Sequence, residues 1–74
     1  MINRSIADLK IGETGIIKSF TDDLISLKLL EMGCLPNTPV KMCNIALFGD
    51  PVCVKVCGYR LSLRKAEAST VIVE

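Results

Sequence analysis

The clearest pattern in the chain is a strict alternation of apolar and polar residues over positions 52–57, which is typical of a β-strand. The two predicted faces of this strand are Val52, Val54 and Val56 on one side and Cys53, Lys55 and Cys57 on the other. Similar short runs predict further strands at Ile16–Phe20, Val40–Ile45, Arg60–Leu63 and Thr70–Val73. Gly58 and Tyr59 are predicted to turn the chain between two of these strands, and Lys65–Ala68 is predicted to be a short turn.

One segment follows a helical pattern instead. Thr21, Asp22 and Asp23 are all good N-cap residues, and the two carboxylates suit the positive end of a helix. Gly33 supplies the residue type that commonly ends a helix. We therefore predict a helix over Leu24–Met32.

This helix is too apolar for one small core to cover completely. Its apolar residues point in almost every direction on a helical wheel, and Ser26, Lys28 and Glu31 alone interrupt them. One interpretation is that the helix packs between the sheet and the turn at Leu35–Pro36 with some residual exposure. The other is a docking surface, whose predicted partner-binding residues are Leu24, Leu27, Lys28 and Glu31.

A second candidate surface is the loop Ala46–Pro51, which contains Leu47 and Phe48. Exposed apolar side chains on a loop favour contact with a partner, so both residues are predicted to bind one. The alternative is that Phe48 packs over an open end of the fold. Aromatic residues make up 4% of the chain, and we expect Phe20, Phe48 and Tyr59 to be the bulky fillers of a core built from Val, Ile, Leu and Met.

The fold class predicted from these elements is mostly β. About five short strands and one helix after the first strand favour a small closed or nearly closed β-barrel, because closure removes exposed strand edges. Residues 1–74 are predicted to form a single domain, since a chain this short supports only one core.

Charge and hydropathy exclude several classes of protein. The net charge of +1 is far from the basic excess that nucleic-acid binding requires, so no nucleic-acid partner is expected. No apolar run reaches the roughly 20 residues of a membrane-spanning helix, and the first residues do not resemble a secretion signal. We expect the protein to be cytoplasmic.

The residue types offer little chemistry. The chain has no histidine, the commonest general base and a frequent metal ligand. Its four cysteines, Cys34, Cys43, Cys53 and Cys57, lack the close Cys-x-x-Cys spacing of metal sites and are predicted to be thiols, with Cys34 buried. We expect no catalytic residue, no metal site and no cofactor, and therefore no enzyme.

Four segments in order resemble the ferrous iron transport protein A (FeoA) family across nearly the whole chain. They are Leu29–Gly33, Leu35–Pro36, Gly49–Pro51 and Gly58–Arg64. The resemblance implies an SH3-like barrel that acts as a regulatory accessory to ferrous iron transport protein B, a bacterial permease with a cytosolic GTP-binding domain. It would place the protein at the inner membrane when bound to the transporter.

Two other interpretations remain open at this stage. The same barrel is similar to the C-terminal domain of iron-dependent repressors, so a free-standing repressor-like barrel that binds a peptide or a metal is the alternative function. A redox role would require a cysteine of low pKa. The apolar helix surface also suits pairing with a second copy, so a homo-oligomer is a further alternative.

Overall fold

The computed structural model describes residues 4–74, which form a six-stranded antiparallel sheet with two short helices. The strands are β1 (Arg4–Ser5), β2 (Thr14–Phe20), β3 (Pro39–Ile45), β4 (Val52–Val56), β5 (Tyr59–Leu63) and β6 (Val71–Val73). The helices are α1 (Asp23–Glu31) and α2 (Lys65–Ala68), and single 3-10 turns cover Ile6–Asp8 and Leu47–Gly49. Residues 1–3 of the predicted domain lie outside the described residues.

The mostly β prediction is confirmed, with two corrections to the elements. A two-residue β1, which pairs with β6, raises the number of strands from about five to six, because so short a strand carries no visible alternation. Lys65–Ala68 is a helical turn rather than an irregular one. Its first turn is stabilised by Glu67, whose carboxylate accepts the backbone N–H of Arg64 at 2.9 Å.

Helix α1 lies within one residue of its predicted bounds because both of its ends are specified locally. The Asp22 carboxylate accepts the Ile25 N–H at 2.8 Å, which identifies Asp22 as the N-cap among the three candidates. At the other end Gly33 has a φ of 101°, a left-handed conformation that glycine adopts without steric cost.

The hairpin of β4 and β5 differs from its predicted turn. Val56 pairs with Tyr59, so Cys57 and Gly58 form the two-residue turn, with φ values of 52° and 82°. Two positive φ values are the signature of the turn that matches the twist of a tight hairpin. The prediction of a turn at Gly58–Tyr59 was therefore wrong, and Cys57 does not belong to β4.

The core is aliphatic, and its residues come mainly from the strands, with Leu29 from α1. Its fully buried members include Ile6, Ile17, Leu29, Cys34, Val40, Met42, Val54, Leu63 and Val71. The prediction that three aromatic residues fill the core is wrong for two of them, since Phe48 is 100% exposed and Tyr59 is 73% exposed. Phe20 alone packs against the core, and it is only partly buried.

The order of strands in the sheet is β1-β6-β2-β3-β4-β5. Within residues 4–74, β1 pairs only with β6 and β5 pairs only with β4. The sheet is therefore open, and the free edge of β5 lies at one end of it.

Candidate partner-binding site

The first candidate surface lies on α1, where apolar residues divide between the core and solvent. Leu29 is fully buried, whereas Leu24 is 82% exposed and Leu27 is 61% exposed. We use the term helix face for Leu24, Leu27, Lys28 and Glu31, all of which are exposed. Two neighbouring leucines that are exposed to solvent on one helix are more typical of an interface than of a core.

Lys28 forms an ion pair within the fold that the sequence did not predict. Its ammonium group lies 2.7 Å from a carboxylate oxygen of Glu67, so the pair links α1 to α2. The hydrogen bond from Lys28, followed by that from the Arg64 N–H, lowers the pKa of Glu67 below its ordinary value. The side chain of Lys28 is 63% exposed, so this ion pair stabilises the fold by less than about 1 kcal/mol.

The second candidate surface is the loop tip, which we define as Leu47 and Phe48. These side chains are 84% and 100% exposed. The predicted alternative, that Phe48 packs over an end of the fold, is therefore wrong. Sequence could not decide this point, because the burial of a loop residue depends on where the loop projects.

The loop that carries this tip is held at its base. The Ala46 N–H donates to the Pro51 carbonyl at 3.0 Å, and the Gly49 N–H donates to the Ala46 carbonyl at 2.9 Å. The Asp50 carboxylate accepts the Lys65 N–H at 3.0 Å and fixes the loop to the start of α2. The backbone thus presents Leu47 and Phe48 outward from a fixed base.

A cleft of about 420 Å³ lies between the two candidate surfaces. It is lined by Lys28, Asp50, Pro51, Ser62, Arg64 and Glu67. The structure therefore brings Lys28 of the helix face together with the base of the loop, while Leu24, Leu27, Glu31, Leu47 and Phe48 lie outside the cleft lining.

The sequence predicted half of the residues that line the cleft. Lys28 was a predicted partner-binding residue and Asp50 and Pro51 belong to the second candidate loop, whereas Ser62, Arg64 and Glu67 were not predicted. The alternation of β5, continued by one residue, places Ser62 and Arg64 on the same face. Glu67 lies three residues after Arg64, the position from which a glutamate can accept the N-cap N–H, but Arg64 is not the Ser or Thr of a full capping box, so the signal for Glu67 is weak.

The four cysteines differ in burial. Cys34 is buried as predicted, Cys43 and Cys53 are partly buried, Cys57 is exposed, and all four are free thiols. Burial raises the pKa of the Cys34 thiol, and the nearby Cys57 adds a smaller effect in the same direction. Among residues 4–74, no three His, Cys, Asp or Glu side chains are grouped so that they could hold a metal ion.

Residues 4–74 match the family model of the FeoA domain. The chain belongs to the FeoA family. The family is associated with ferrous iron transport. No curated protein matches the chain in sequence.

Solved FeoA structures share this fold. A FeoA-like protein from Clostridium acetobutylicum is 27% identical, with a TM-score of 0.90 over 100% of this chain and 87% of that one. FeoA from Stenotrophomonas maltophilia is 28% identical, with a TM-score of 0.85 over 96% of this chain and 89% of that one. The latter is described as a prokaryotic SH3 domain protein in complex with zinc, which confirms the predicted SH3-like fold.

A manganese-dependent transcriptional repressor has the same fold at 15% identity, with a TM-score of 0.85. The match covers 96% of this chain and 40% of the repressor, so the likeness concerns one part of that protein and its fold alone. Within residues 4–74, the protein has no helix that is both long and apolar enough to cross a membrane.

Proposed function

We propose that this protein is an accessory subunit of bacterial ferrous iron uptake that binds the cytosolic part of ferrous iron transport protein B and modulates transport. The observation that supports the proposal is the exposure of Leu24, Leu27, Leu47 and Phe48 on ordered elements of a FeoA domain. Solvated side chains of this size contribute to a fold only weakly, whereas at an interface they become buried anchors.

The protein acts in this proposal by contact rather than by chemistry. It works in the cytoplasm and lies at the inner membrane while it is bound to the transporter. The helix face also meets the usual composition of an interface, since Lys28 and Glu31 place charges beside the apolar anchors.

The first test is binding of the reduced protein to the soluble GTP-binding domain of the cognate transporter, with and without nucleotide. Leu27→Gln and Phe48→Ser each remove one exposed anchor and leave the core intact. We expect each substitution to weaken binding about tenfold or more, as loss of an interface anchor commonly does. Calorimetry or fluorescence anisotropy measures the effect.

Ile11→Gln is the matched control. Ile11 is 59% exposed but precedes β2, whereas α1 follows the far end of that strand. The Ile11→Gln substitution should leave both binding and thermal stability unchanged. Unchanged binding by folded Leu27→Gln and Phe48→Ser proteins would contradict the proposed surfaces, and no binding in any nucleotide state would contradict the proposed partner domain.

A further inference from the structure

The outer edge of β5 offers unused backbone hydrogen-bonding groups. In a hairpin with a two-residue turn the closing pair is hydrogen-bonded, and such pairs alternate along an antiparallel ladder. Starting from the closing pair Val56–Tyr59, this rule directs the backbone groups of Tyr59, Leu61 and Leu63 toward β4. The groups of Arg60 and Ser62 point away from β4, and they make no hydrogen bond with any residue in 4–74.

The cleft described above includes one residue of this strand. Ser62 lines it from β5, Arg64 lines it from the position just after β5, and Lys28 lines it from α1. An unpaired strand edge is the place at which an extended peptide can add as a further strand. The volume of about 420 Å³ falls within the range of about 300–1,000 Å³ that ligand sites commonly have.

The surface around the edge is basic. Lys41, Lys55 and Arg60 are direct neighbours across β3, β4 and β5, and all three are exposed. None of them forms an ion pair with another residue of the described chain. Like charges placed opposite each other in a sheet are destabilising, so this row is better explained by an anionic partner than by the stability of the isolated fold.

Neither acid of the cleft forms an ion pair with Lys41, Lys55 or Arg60. Asp50 accepts the Lys65 N–H, and Glu67 accepts the Arg64 N–H as well as the Lys28 ammonium. Arg60 on β5 and Arg64 just after it form no ion pair with residues 4–74, and they lie two residues on either side of Ser62.

We propose that the free edge of β5 binds an extended, acidic segment of a partner protein as an additional strand. The backbone of Arg60 and Ser62 supplies the hydrogen bonds, and Arg60, Arg64 and Lys55 select acidic side chains at alternate positions. The inference rests on the proposed function only for the identity of the protein that carries the segment.

Amide hydrogen exchange tests this pairing directly. The probe is a capped synthetic peptide of about seven residues in which glutamate and valine alternate, added to the uniformly labelled protein and followed by NMR. We expect the Arg60 and Ser62 amides to exchange rapidly in the free protein and at least about tenfold more slowly at saturation. A lysine–valine peptide of the same length should not protect them.

A matched pair of variants isolates the backbone contribution. The Ser62 N–H faces away from β4, so Ser62→Pro removes a donor from the free edge without breaking the ladder to β4, as proline at an edge strand permits. Ser62→Ala retains the donor and removes the hydroxyl. We expect the glutamate–valine peptide to bind Ser62→Pro at least about tenfold more weakly than Ser62→Ala. Retained unfolding transitions confirm that both variants fold.

Three results would overturn the inference. The first is a glutamate–valine peptide that binds without protecting the Arg60 and Ser62 amides. The second is equal affinity for the lysine–valine peptide. The third is binding of the basic row to phosphatidylglycerol vesicles while the peptide leaves the protein unchanged, which would identify a lipid surface as the ligand.

The inference and the proposed function can fail separately. If the transporter domain binds Ser62→Pro as well as Ser62→Ala and the peptide does not bind, the edge site is wrong and the proposed function stands. If the peptide binds at β5 and the transporter domain does not bind at all, the edge site stands and the proposed partner is wrong.

Discussion

At the scale of single residues, Glu13 is the acid with the most strongly defined environment. Its carboxylate lies 2.8 Å from the Arg4 guanidinium and accepts the Lys10 N–H at 2.9 Å. The hydrogen bond from Arg4, followed by that from Lys10, lowers the pKa of Glu13 to about 2. These contacts join β1 to the turn before β2 and so anchor the first strand of the sheet.

The lowered pKa makes a prediction about stability and pH. A carboxyl group whose pKa is lower in the folded than in the unfolded state stabilises the fold above its unfolded value, and this contribution is lost as the pH falls through its folded value. For Glu13 that window runs from 4.5 down to about 2. We expect Glu13→Gln to unfold at lower urea concentration than the parent at neutral pH, with a difference that shrinks across this window.

Urea midpoints measured between neutral pH and pH 2 check this prediction. Glu31→Gln is the control, because Glu31 is exposed and forms no ion pair with residues 4–74. A Glu13→Gln deficit that stayed constant down to the lowest pH would argue against the ion pair as its cause.

Backbone preferences of individual residues were more predictable than the exposure of large side chains. Asn37 has a φ of 65°, a left-handed conformation that its short polar side chain tolerates. Phe48 has the same φ of 65°, although no local rule favours phenylalanine there. Its exposure depends on the direction of the loop, which residues distant in sequence determine.

At the scale of elements, α1 shows what a local pattern can and cannot specify. Its ends follow from Asp22 and Gly33, and its bounds were predicted to within one residue. Which apolar residues it buries was not predictable from the wheel, because leucines surround the helix. Leu29 is buried because it packs into the core, whereas Leu24 remains exposed.

The capping assignment leads to a stability prediction for this helix. Asp22→Ala removes the side-chain acceptor of the Ile25 N–H and should lower the free energy of unfolding by about 1 kcal/mol, the usual cost of losing an N-cap. Asp23→Ala should cost less, because Asp23 is the first helical residue and contributes mainly through the helix dipole. Equal losses in urea unfolding of the two variants would show that Asp22 is not the dominant cap.

At the scale of the whole molecule, one close approach limits how the sheet can fold over the core. A Cβ atom added at Gly15 would lie 3.0 Å from the Cβ of Val73, where β2 lies beside β6. Glycine at this point allows the two strands to approach, although the same residue weakens an ordinary strand. The need for glycine here is set by a residue 58 positions away, since 73 − 15 = 58.

This contact predicts a coupled pair of substitutions. Gly15→Ala should lower the free energy of unfolding by about 1–3 kcal/mol through overpacking, even though alanine is the better strand residue. Val73→Ala creates space at the same point, so the double variant should lose less than the sum of the two single losses. Additive losses in a double-mutant cycle would contradict a steric cause.

At this scale, the sequence did not predict that the sheet is open. Short strands and one helix favoured closure on general grounds, and five of the six strands were predicted nearly correctly, β1 being the exception. Closure, however, depends on whether β1 and β5 meet, and no alternation within either strand encodes that distance. The cleft beside β5 was missed for the same reason.

The ion pair between Lys28 and Glu67 has a further consequence for whatever enters that cleft. A carboxylate arriving beside Lys28 would compete with Glu67 for its ammonium, while Glu67 would keep the Arg64 N–H. Binding would then replace one partner of Lys28 by another and leave Glu67 with its backbone hydrogen bond but without this cation. Because Lys28 lies on α1 and Glu67 on α2, a ligand that drew Lys28 away would break the ion pair between the two helices.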